Sequence, residues 1–322
     1  MGLIQNPKTY SGRELEEIFF RPSFTGPTAE QLGIRVLYNM PMPTTVHLWS
    51  PAGDVLKNYA AGWQGGEKSV KQVRTIDMKK VKAESAFSAS DYFSMVFEQI
   101  VNQGDVNMQD LSGTTLEAAE TELFKKAVVE SIRRTMWLGD TGNSSYNTFD
   151  GILKTAYNAA SSDVNIGVYT ITAAVTAENV LTVLDETWKA SSPLLRSSKS
   201  EGQLAFFVTT DICEAYERYL DSKGVDSSYR EMAEGRAQLS YHGIPIVDIC
   251  VGDEIKKTKL PKTFCILSDR RNLVLAVNTS DSPETEVRMW YNPDEMENRQ
   301  RAVFLAGATI IDPALVSLAY KS

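Results

Sequence analysis

The feature that most constrains the fold is a long amphipathic helix near the middle of the chain. Thr114 and Glu117 form the Thr-x-x-Glu pattern of a helix start, and Gly139 is the type of residue that ends a helix. Two adjoining apolar rows lie between them at helical spacing, with basic residues on the remaining face. The rows are Leu116, Ala119, Leu123 and Ala127, then Phe124, Val128, Ile132 and Met136; the basic residues are Lys125, Lys126, Arg133 and Arg134. The pattern predicts one helix over 115–138, roughly 36 Å in length, which is long for a compact domain.

A glycine-rich stretch flanked by alternating apolar residues precedes this helix. Val46 and Leu48 lie on one side of it, and β-friendly residues from Val70 to Met78 lie on the other. Residues 50–68 between them carry Tyr59 and Trp63. We predict that 34–87 forms a long two-stranded ribbon with a wide aromatic tip. Because a lone two-stranded ribbon is only marginally stable in water, we expect it to lie on another surface, which a second subunit could supply.

The first 33 residues are predicted to form an arm and not a domain. Pro7, Pro22 and Pro27 interrupt any long helix, although a short one over 12–20 is compatible with the sequence. The apolar side chains of this stretch are too few to bury one another; they are Ile18, Phe19, Phe20 and Phe24. They therefore need a surface elsewhere to cover them.

The second half of the chain alternates helices with strands. A short helix over 91–101 comes before the long helix, and the turn-rich stretch 139–150 after it is interpreted as a domain boundary. Helices are predicted from Thr176 to about 191 and over 211–223. Strands are predicted over 204–208, 244–247, 264–267, 273–277, 284–291, 299–311 and 315–320, with Asp312-Pro313 separating the last two.

Charge and composition exclude several classes of protein. The chain has 33 basic and 41 acidic residues and a net charge of −8. This charge argues against a protein that binds nucleic acid by neutralising its phosphates, and against one that docks on anionic lipid. The longest apolar run, 302–311, is about half the ~20 residues that a membrane helix needs. The N-terminus does not resemble a secretory signal. An odd number of cysteines without paired spacing suggests reduced thiols in a cytoplasmic setting.

No pattern of catalytic or ligand-binding residues stands out. The sequence lacks a glycine-rich phosphate loop, a Gly-x-Ser-x-Gly elbow and a His-Glu-x-x-His motif. His47 is expected in a strand, His242 in a turn, and residues 253–259 in a solvated loop. The cysteines are too scattered for a zinc cluster and are expected to be small core residues; they are Cys213, Cys250 and Cys265. We therefore predict no catalytic residue, no cofactor, no metal site and no enzymatic activity.

The order of these elements resembles the major capsid protein of tailed bacteriophages, with the Hong Kong 97-type fold. The run from Leu116 to Leu138, then Gly139-Asp140-Thr141-Gly142 and Phe149-Asp150-Gly151-Ile152-Leu153, is similar to that family's spine helix and its exit. Val208-Thr209-Thr210-Asp211 and Gly243-Ile244-Pro245-Ile246-Val247 resemble a strand, helix and strand of its axial domain. Residues 295–311 resemble the closing strand of its peripheral domain. The resemblance covers nearly the whole chain and is carried by the order and spacing of these patterns.

The resemblance implies an α+β fold with four parts. These are an N-terminal arm (1–33), an extended β-hairpin loop (34–87), a peripheral domain with the long spine helix (88–150 and 283–311) and an α/β axial domain (151–282 and 312–322). The loop would lie over a neighbouring subunit, and the arm would reach another one.

The resemblance also implies a structural function. The chain would assemble into hexamers and pentamers of an icosahedral or prolate shell around the double-stranded DNA of a tailed phage, without sequence-specific binding. Its place would be the virion capsid, assembled in the host cytoplasm, with no membrane. Its partners would be further copies of the chain, a scaffolding protein and a portal, and in some shells of this family also decoration proteins. The ribbon begins within forty residues of Met1, which leaves no room for the long fused scaffold of some relatives. The scaffold would therefore be separate, or the chain a processed form.

Aromatic residues on the arm and the ribbon are the candidate intersubunit contacts, because such residues are enriched in the buried centres of interfaces. They are Phe19, Phe20, Phe24, Trp49, Tyr59 and Trp63. The alternative is that they pack against their own domain. Lys57 and Lys68 lie in the loop, but nothing matches them to the crosslinking lysine of some relatives. Two other functions stay open: an encapsulin-type nanocompartment shell, and an α/β enzyme with an unrecognised site, which would form a small oligomer.

Overall fold

The computed structural model describes residues 27–38, 44–50, 69–88, 115–162, 166–224, 239–278 and 288–321, together with residues 58, 61 and 110. The strands in this part of the chain are β1 Arg35–Tyr38, β2 Thr44–Ser50, β3 Val70–Ile76, β4 Lys79–Ser88, β5 Gly167–Ile171, β6 Leu204–Val208, β7 Ser240–Tyr241, β8 Ile244–Asp248, β9 Phe264–Asp269, β10 Leu273–Asn278, β11 Arg288–Asn292, β12 Glu297–Ile310 and β13 Val316–Lys321. The α-helices are α1 Thr115–Leu138, α2 Ile152–Ser162, α3 Val180–Ala190, α4 Pro193–Ser197 and α5 Thr210–Ser222.

The long central helix is confirmed over its whole predicted range, and strand β6 matches its prediction residue for residue. Helix α2 was not predicted. The helix predicted from Thr176 begins instead at Val180, because Asn179 accepts a hydrogen bond from the backbone N–H of Thr176 and donates one to the carbonyl of Ala174, which fixes a turn. The predicted helices over 12–20 and 91–101 lie outside the described residues, as does Thr114 of the capping pattern.

Strand β12 organises a five-stranded sheet. Strand β4 pairs with it in antiparallel register over residues 79–88, from Lys79 opposite Ala306 to Ser88 opposite Glu297. On the other side of β12, β10 pairs with residues 305–310 and β11 with residues 297–301. Strand β1 extends the sheet by parallel pairing with β10. The predicted extended loop, 34–87, therefore holds two strands of this sheet, β1 and nearly all of β4, as well as the ribbon.

The six-stranded sheet has the order β5-β13-β9-β6-β8-β7. Every residue of its central strands β6 and β9 is buried, because helices and strands cover both faces. The C-terminal strand β13 joins this sheet between β5 and β9, after the chain has left β12 at Asp312. Asn272 fixes that exit: its side-chain oxygen accepts from the N–H of Asp312, and its side-chain nitrogen donates to the Asp312 carbonyl.

One apolar core serves both sheets. It contains Trp137 at the end of α1, Phe207 of β6 and Leu318 of β13 from the six-stranded side, and Phe304 of β12 from the five-stranded side. The Trp137 and Phe207 ring centroids are 5.4 Å apart. The stretch 139–150, predicted as a domain boundary, buries Phe149 in the same core. No solvated linker therefore separates the two sheets at this point.

The exit of α1 requires a residue without a side chain. A Cβ atom on Gly139 would lie 2.2 Å from the carbonyl oxygen of Phe149 and 2.5 Å from that of Thr135. The Gly139 N–H donates to Thr135, and its carbonyl accepts from Gly151, so the backbone has no freedom to move away. The close approach brings together the two ends of the segment 139–151 that connects α1 to α2.

We predict that Gly139→Ala lowers the free energy of unfolding by about 2 to 3 kcal/mol, because the new methyl group meets backbone atoms that cannot shift. Urea unfolding followed by circular dichroism measures this. Gly142→Ala is the matched control: its nearest atom would be a side-chain oxygen of Asp140, at 3.3 Å. Equal stability of the Gly139→Ala variant and the original chain would show that the close approach is not required.

Candidate intersubunit surfaces

The ribbon consists of β2 and β3, paired from Thr44 opposite Ile76 to Ser50 opposite Val70. Its base is held to the five-stranded sheet by a small apolar cluster. Ile76 and Met78 are fully buried there against Val274, Ala276 and Ile311. A Cβ atom on Gly307 of β12 would lie 2.7 Å from the carbonyl oxygen of Asp77, so the chain crosses β12 in direct contact as it leaves the ribbon.

The two faces of the ribbon differ in what covers them. Val46 and Leu48 are half-buried and pack against the apolar cluster at the base. On the opposite face, His47 pairs with Val73, whose side chain is 56% exposed. Trp49 belongs to the same alternate set of β2 positions as His47 and pairs with Lys71. Among the described residues, the ribbon therefore presents one face that is exposed at His47 and Val73.

The structure brings none of the six predicted interface aromatics together. Trp49 is placed in β2 by its backbone, but its side chain lies outside the described residues. The other five also lie outside them: Phe19, Phe20, Phe24, Tyr59 and Trp63. Their role in subunit contacts stays a prediction, as do the assignments of Lys57 and Lys68, which lie outside the described residues too.

A second exposed apolar surface occurs at the hairpin between β11 and β12, which the sequence reading did not identify. Trp290 is 40% exposed and Met296 is 55% exposed. Arg299 pairs with Trp290 across the hairpin and forms an ion pair with Glu295. The sequence signal for this surface was Trp290, a tryptophan in a strand of alternating pattern next to a tight turn.

Helix α1 is joined to the six-stranded sheet by buried charges. Sequence placed Arg133 on the polar face of the helix, but the structure buries its side chain to 3% exposure. Its Nε and Nη2 donate to Glu130 at 2.9 and 2.6 Å, and its Nη1 donates to the carbonyl of Ile249 at 2.7 Å. A further bond of 3.3 Å reaches the carbonyl of Cys250. Arg134 also donates to Glu130, at 2.8 Å. The spacing i to i+3 and i+4 from Glu130 was the sequence signal for this arrangement.

The same network continues to Glu254, which was wrongly expected in a solvated loop. Its segment forms a 3₁₀ helix, Gly252–Lys257, that packs against α1. Glu254 lies 3.5 Å from Arg134 and 2.6 Å from Lys257, and it accepts a hydrogen bond from the Tyr146 hydroxyl. Lys257 and the Tyr146 hydroxyl hold the pKa of Glu254 below its ordinary value, while burial and the Glu254 carboxylate raise the pKa of Tyr146 to about 12. We call Glu130, Arg133, Arg134, Tyr146 and Glu254 the junction network.

A second ionic cluster stabilises the turn between α1 and α2. Lys154 forms ion pairs with Asp140 at 2.7 Å and Asp150 at 2.9 Å. The Gly142 N–H donates to Asp140 at 2.8 Å. Burial favours the neutral form of Asp140, but Lys154 and the Gly142 N–H outweigh it and lower the pKa of this carboxyl. The Asp150 pKa is lowered too: burial opposes the shift, and the Thr141 N–H and Lys154 overcome it.

A groove of about 550 Å³ lies between α1 and β4. Phe124, Val128 and Phe149 form much of its apolar lining, and Lys82 and Glu84 at its rim form an ion pair of 2.8 Å. The shifted pKa values described above belong to Tyr146, Glu254, Asp140 and Asp150, and none of these four lines the groove.

The histidines and cysteines that could serve as metal ligands lie in different parts of the fold. His47 is exposed in β2, and His242 occupies a turn with φ of 50°. Cys265 is buried and Cys213 half-buried, but Cys250 is exposed at the end of β8, so its expected core position was wrong. Within the described ranges, no group of three or more His, Cys, Asp or Glu side chains could hold a metal ion. Among the helices described, none is both long and apolar enough to cross a membrane.

No protein-family model matches the chain, and no curated protein matches it. Solved structures do. The capsid of the native GTA particle has 13% identity and a TM-score of 0.60, over 99% of this chain and 96% of that chain. The capsid of Myoviridae phage XM1 has 14% identity and a TM-score of 0.55, over 98% and 100%. The holo-SrpI encapsulin complex from Synechococcus elongatus PCC 7942 has 9% identity and a TM-score of 0.50, over 98% and 96%. The chain has the Hong Kong 97-type capsid fold that the sequence predicts.

We predict that acid weakens the turn after α1. A carboxyl whose pKa is lowered by folding contributes stability above its ordinary pKa of about 4 and loses that contribution as the pH falls through the lowered value. The free energy of unfolding should therefore fall below about pH 4. Asp140→Asn should cost about 1 kcal/mol at pH 7 and give a shallower acid loss. Urea titrations from pH 7 to pH 3 measure both.

Asp253→Asn is the control for that experiment, because Asp253 is 87% exposed in an ion pair with Lys256. It should leave both the stability at pH 7 and the acid slope unchanged. Parallel pH profiles for Asp140→Asn and the original chain would contradict the assignment of acid sensitivity to this cluster.

Proposed function

We propose that this chain is the major capsid subunit of a tailed phage, a structural protein and not an enzyme. Copies would assemble into hexamers and pentamers of an icosahedral or prolate shell around double-stranded DNA. The observation that carries the proposal is a capsid fold matched over 98 to 99% of the chain, in which a ribbon leaves the body with one face uncovered. The subunit would assemble in the host cytoplasm and reside in the virion.

The proposal assigns separate roles to the parts of the fold. The axial domain (151–282 and 312–322) would hold the six-stranded sheet and lie around the five-fold and six-fold axes. The peripheral domain (88–150 and 283–311) would hold α1, β11 and β12. The ribbon would lie over a neighbouring subunit, with Trp49, Tyr59 and Trp63 in the contact. The arm would reach another neighbour through Phe19, Phe20 and Phe24. A separate scaffolding protein, a portal and decoration proteins would be the further partners.

The net charge of −8 supports this role. A negative subunit makes few contacts with phosphates, so a genome can pack against the inside of the shell without being held at fixed sites. Assembly would depend on many moderate interfaces, each of the order of 800 Å² per partner.

An encapsulin-type nanocompartment is the second candidate, favoured by the match to the SrpI encapsulin complex at a TM-score of 0.50. The match to the GTA capsid, at 0.60, is better, which favours the first candidate. The contents of the assembled particle distinguish the two candidates, because a nanocompartment would enclose a protein and a phage shell would enclose DNA.

Size is the direct test of the proposed function. Purified protein should sediment as megadalton particles and appear as closed shells or as rings of five and six subunits in electron micrographs. A stable species of tens of kilodaltons at all concentrations, with enzymatic turnover, would exclude a shell protein.

We predict that Val73→Asp prevents assembly. Val73 is on the uncovered face of the ribbon, so a carboxylate there would have to be buried without a partner when a neighbour covers it. Sedimentation should show free subunits, with helix content unchanged in circular dichroism. Val129→Asp is the matched control, because Val129 on α1 is 54% exposed against 56% for Val73. Normal assembly of Val73→Asp would remove this face from the proposed contact.

Trp63→Ala tests the predicted tip of the ribbon. We expect weaker capsomer and shell formation, with the helix content of the subunit unchanged, because a large aromatic side chain is lost from the centre of a contact. Sedimentation across a range of protein concentrations measures the loss. Assembly indistinguishable from that of the original chain would refute the role of Trp63.

A further inference from the structure

The junction network is an unusual way to join two parts of a protein. Glu130 and Arg133 are 8% and 4% exposed, so both charges have left water. Taking charges out of water is costly, and apolar residues of similar size often stabilise a protein as well or better. The shared apolar core already holds the two sheets together beside the network. Stability alone therefore does not account for these charges.

The network makes directional contacts that the apolar core cannot make. Arg133 donates to two successive carbonyls, those of Ile249 and Cys250, at the exit of β8. Its guanidinium is itself fixed by two bonds to Glu130, one turn away on the same helix. A planar guanidinium with fixed donors defines both the distance and the direction of what it binds. The exit of β8 is thus oriented relative to α1.

Backbone strain occurs at both places where the network meets a loop. Cys250, whose carbonyl Arg133 contacts, has φ of 50°, and Tyr146, whose hydroxyl bonds to Glu254, has φ of 56°. Within the described residues only His242 and Met296, besides these two, are non-glycine residues with positive φ. A non-glycine residue keeps a positive φ only where the surrounding contacts hold it there, and such residues cluster at functional sites.

We propose that the junction network sets the angle between the six-stranded sheet and helix α1, and that a shell of uniform size depends on that angle. The second part rests on the proposed function. In the proposed shell each subunit would meet its neighbours through both sheets. Because α1 lies beside β4 of the five-stranded sheet, a variable angle between α1 and the six-stranded sheet would become a variable curvature of the shell. The network is accordingly a positioning device, and its loss should widen the range of angles more than it lowers stability.

The angle is measured on the subunit with spin labels at V129C on α1 and L194C on α4, two exposed positions. Cys250→Ser removes the exposed native thiol, and burial raises the pKa of Cys213 and Cys265 to about 12, so their thiols react slowly. Pulsed dipolar spectroscopy in denaturant-free buffer should give one narrow distance distribution. Glu130→Leu combined with Arg133→Met should broaden it while a single cooperative unfolding transition is kept.

Two variants keep this test decisive. Glu214→Leu with Arg218→Met removes an exposed i,i+4 pair of the same composition on α5 and should leave the distribution narrow. Arg133→Lys keeps a charge but cannot donate to Glu130 and both carbonyls in the same geometry, so it should broaden the distribution even if the double apolar variant fails to fold. A narrow distribution in Arg133→Lys, or in a folded double apolar variant, would overturn the proposal.

Electron micrographs then test the effect on shells. Particles of the original chain should have one diameter, and those of the network variants should spread over several diameters or form open sheets. If the original chain forms no shell, the proposed function fails, while the spectroscopic result still decides whether the network sets the angle. Variant shells of uniform, unchanged diameter would overturn the second part of the proposal.

Discussion

The structure depends on the burial of the last turn of α1 between two sheets. Met136, Trp137 and Leu138 are fully buried, and the core around them reaches β12 on one side and β6, β9 and β13 on the other. Residues of both sheets pack around this last turn in one shared core. The chain crosses between the sheets after β4, after β9 and after β12. The two sheets consequently form one folding unit, although their strands pair separately.

Exposed apolar side chains occur on the compact part, at Val129 and Leu194 for example, and also on the elements that project from it. Ile76 and Met78 hold the base of the ribbon, but a few residues further Val73 is open to solvent on the other face. The hairpin of β11 and β12 exposes Trp290 and Met296 in a similar way. A two-stranded ribbon gains its stability from what it lies on. In the proposed shell, the ribbon would become stable only as it contacts a neighbouring subunit. The stability of the ribbon would therefore depend on protein concentration.

Sequence patterns predicted the elements whose signal is local. The helix α1, the buried run of β6 and the break at Asp312-Pro313 each reflect periodicity or backbone chemistry within a few residues, and the structure confirms them. Helix α2 was missed because residues 152–162 follow a glycine-rich turn and hold small and polar residues at many positions. The place of β4 beside β12 depends on pairing between residues more than two hundred positions apart, which no local pattern encodes.

The candidate contacts show the same division between local and distant information. The aromatic residues of the arm and the ribbon were predicted to be intersubunit contacts because the sequence near them supplies too few apolar partners. That prediction rests only on residues that are close in the chain. The sequence pattern placed Arg133 on a polar face because Glu130 is its only local partner among those described, while Ile249 and Cys250 are more than a hundred residues away. A buried arginine is recognisable only when the fold supplies the carbonyls it binds. Residues that fix the geometry between distant elements are therefore those that a sequence pattern assigns to the surface, and here they join α1 to the exit of β8.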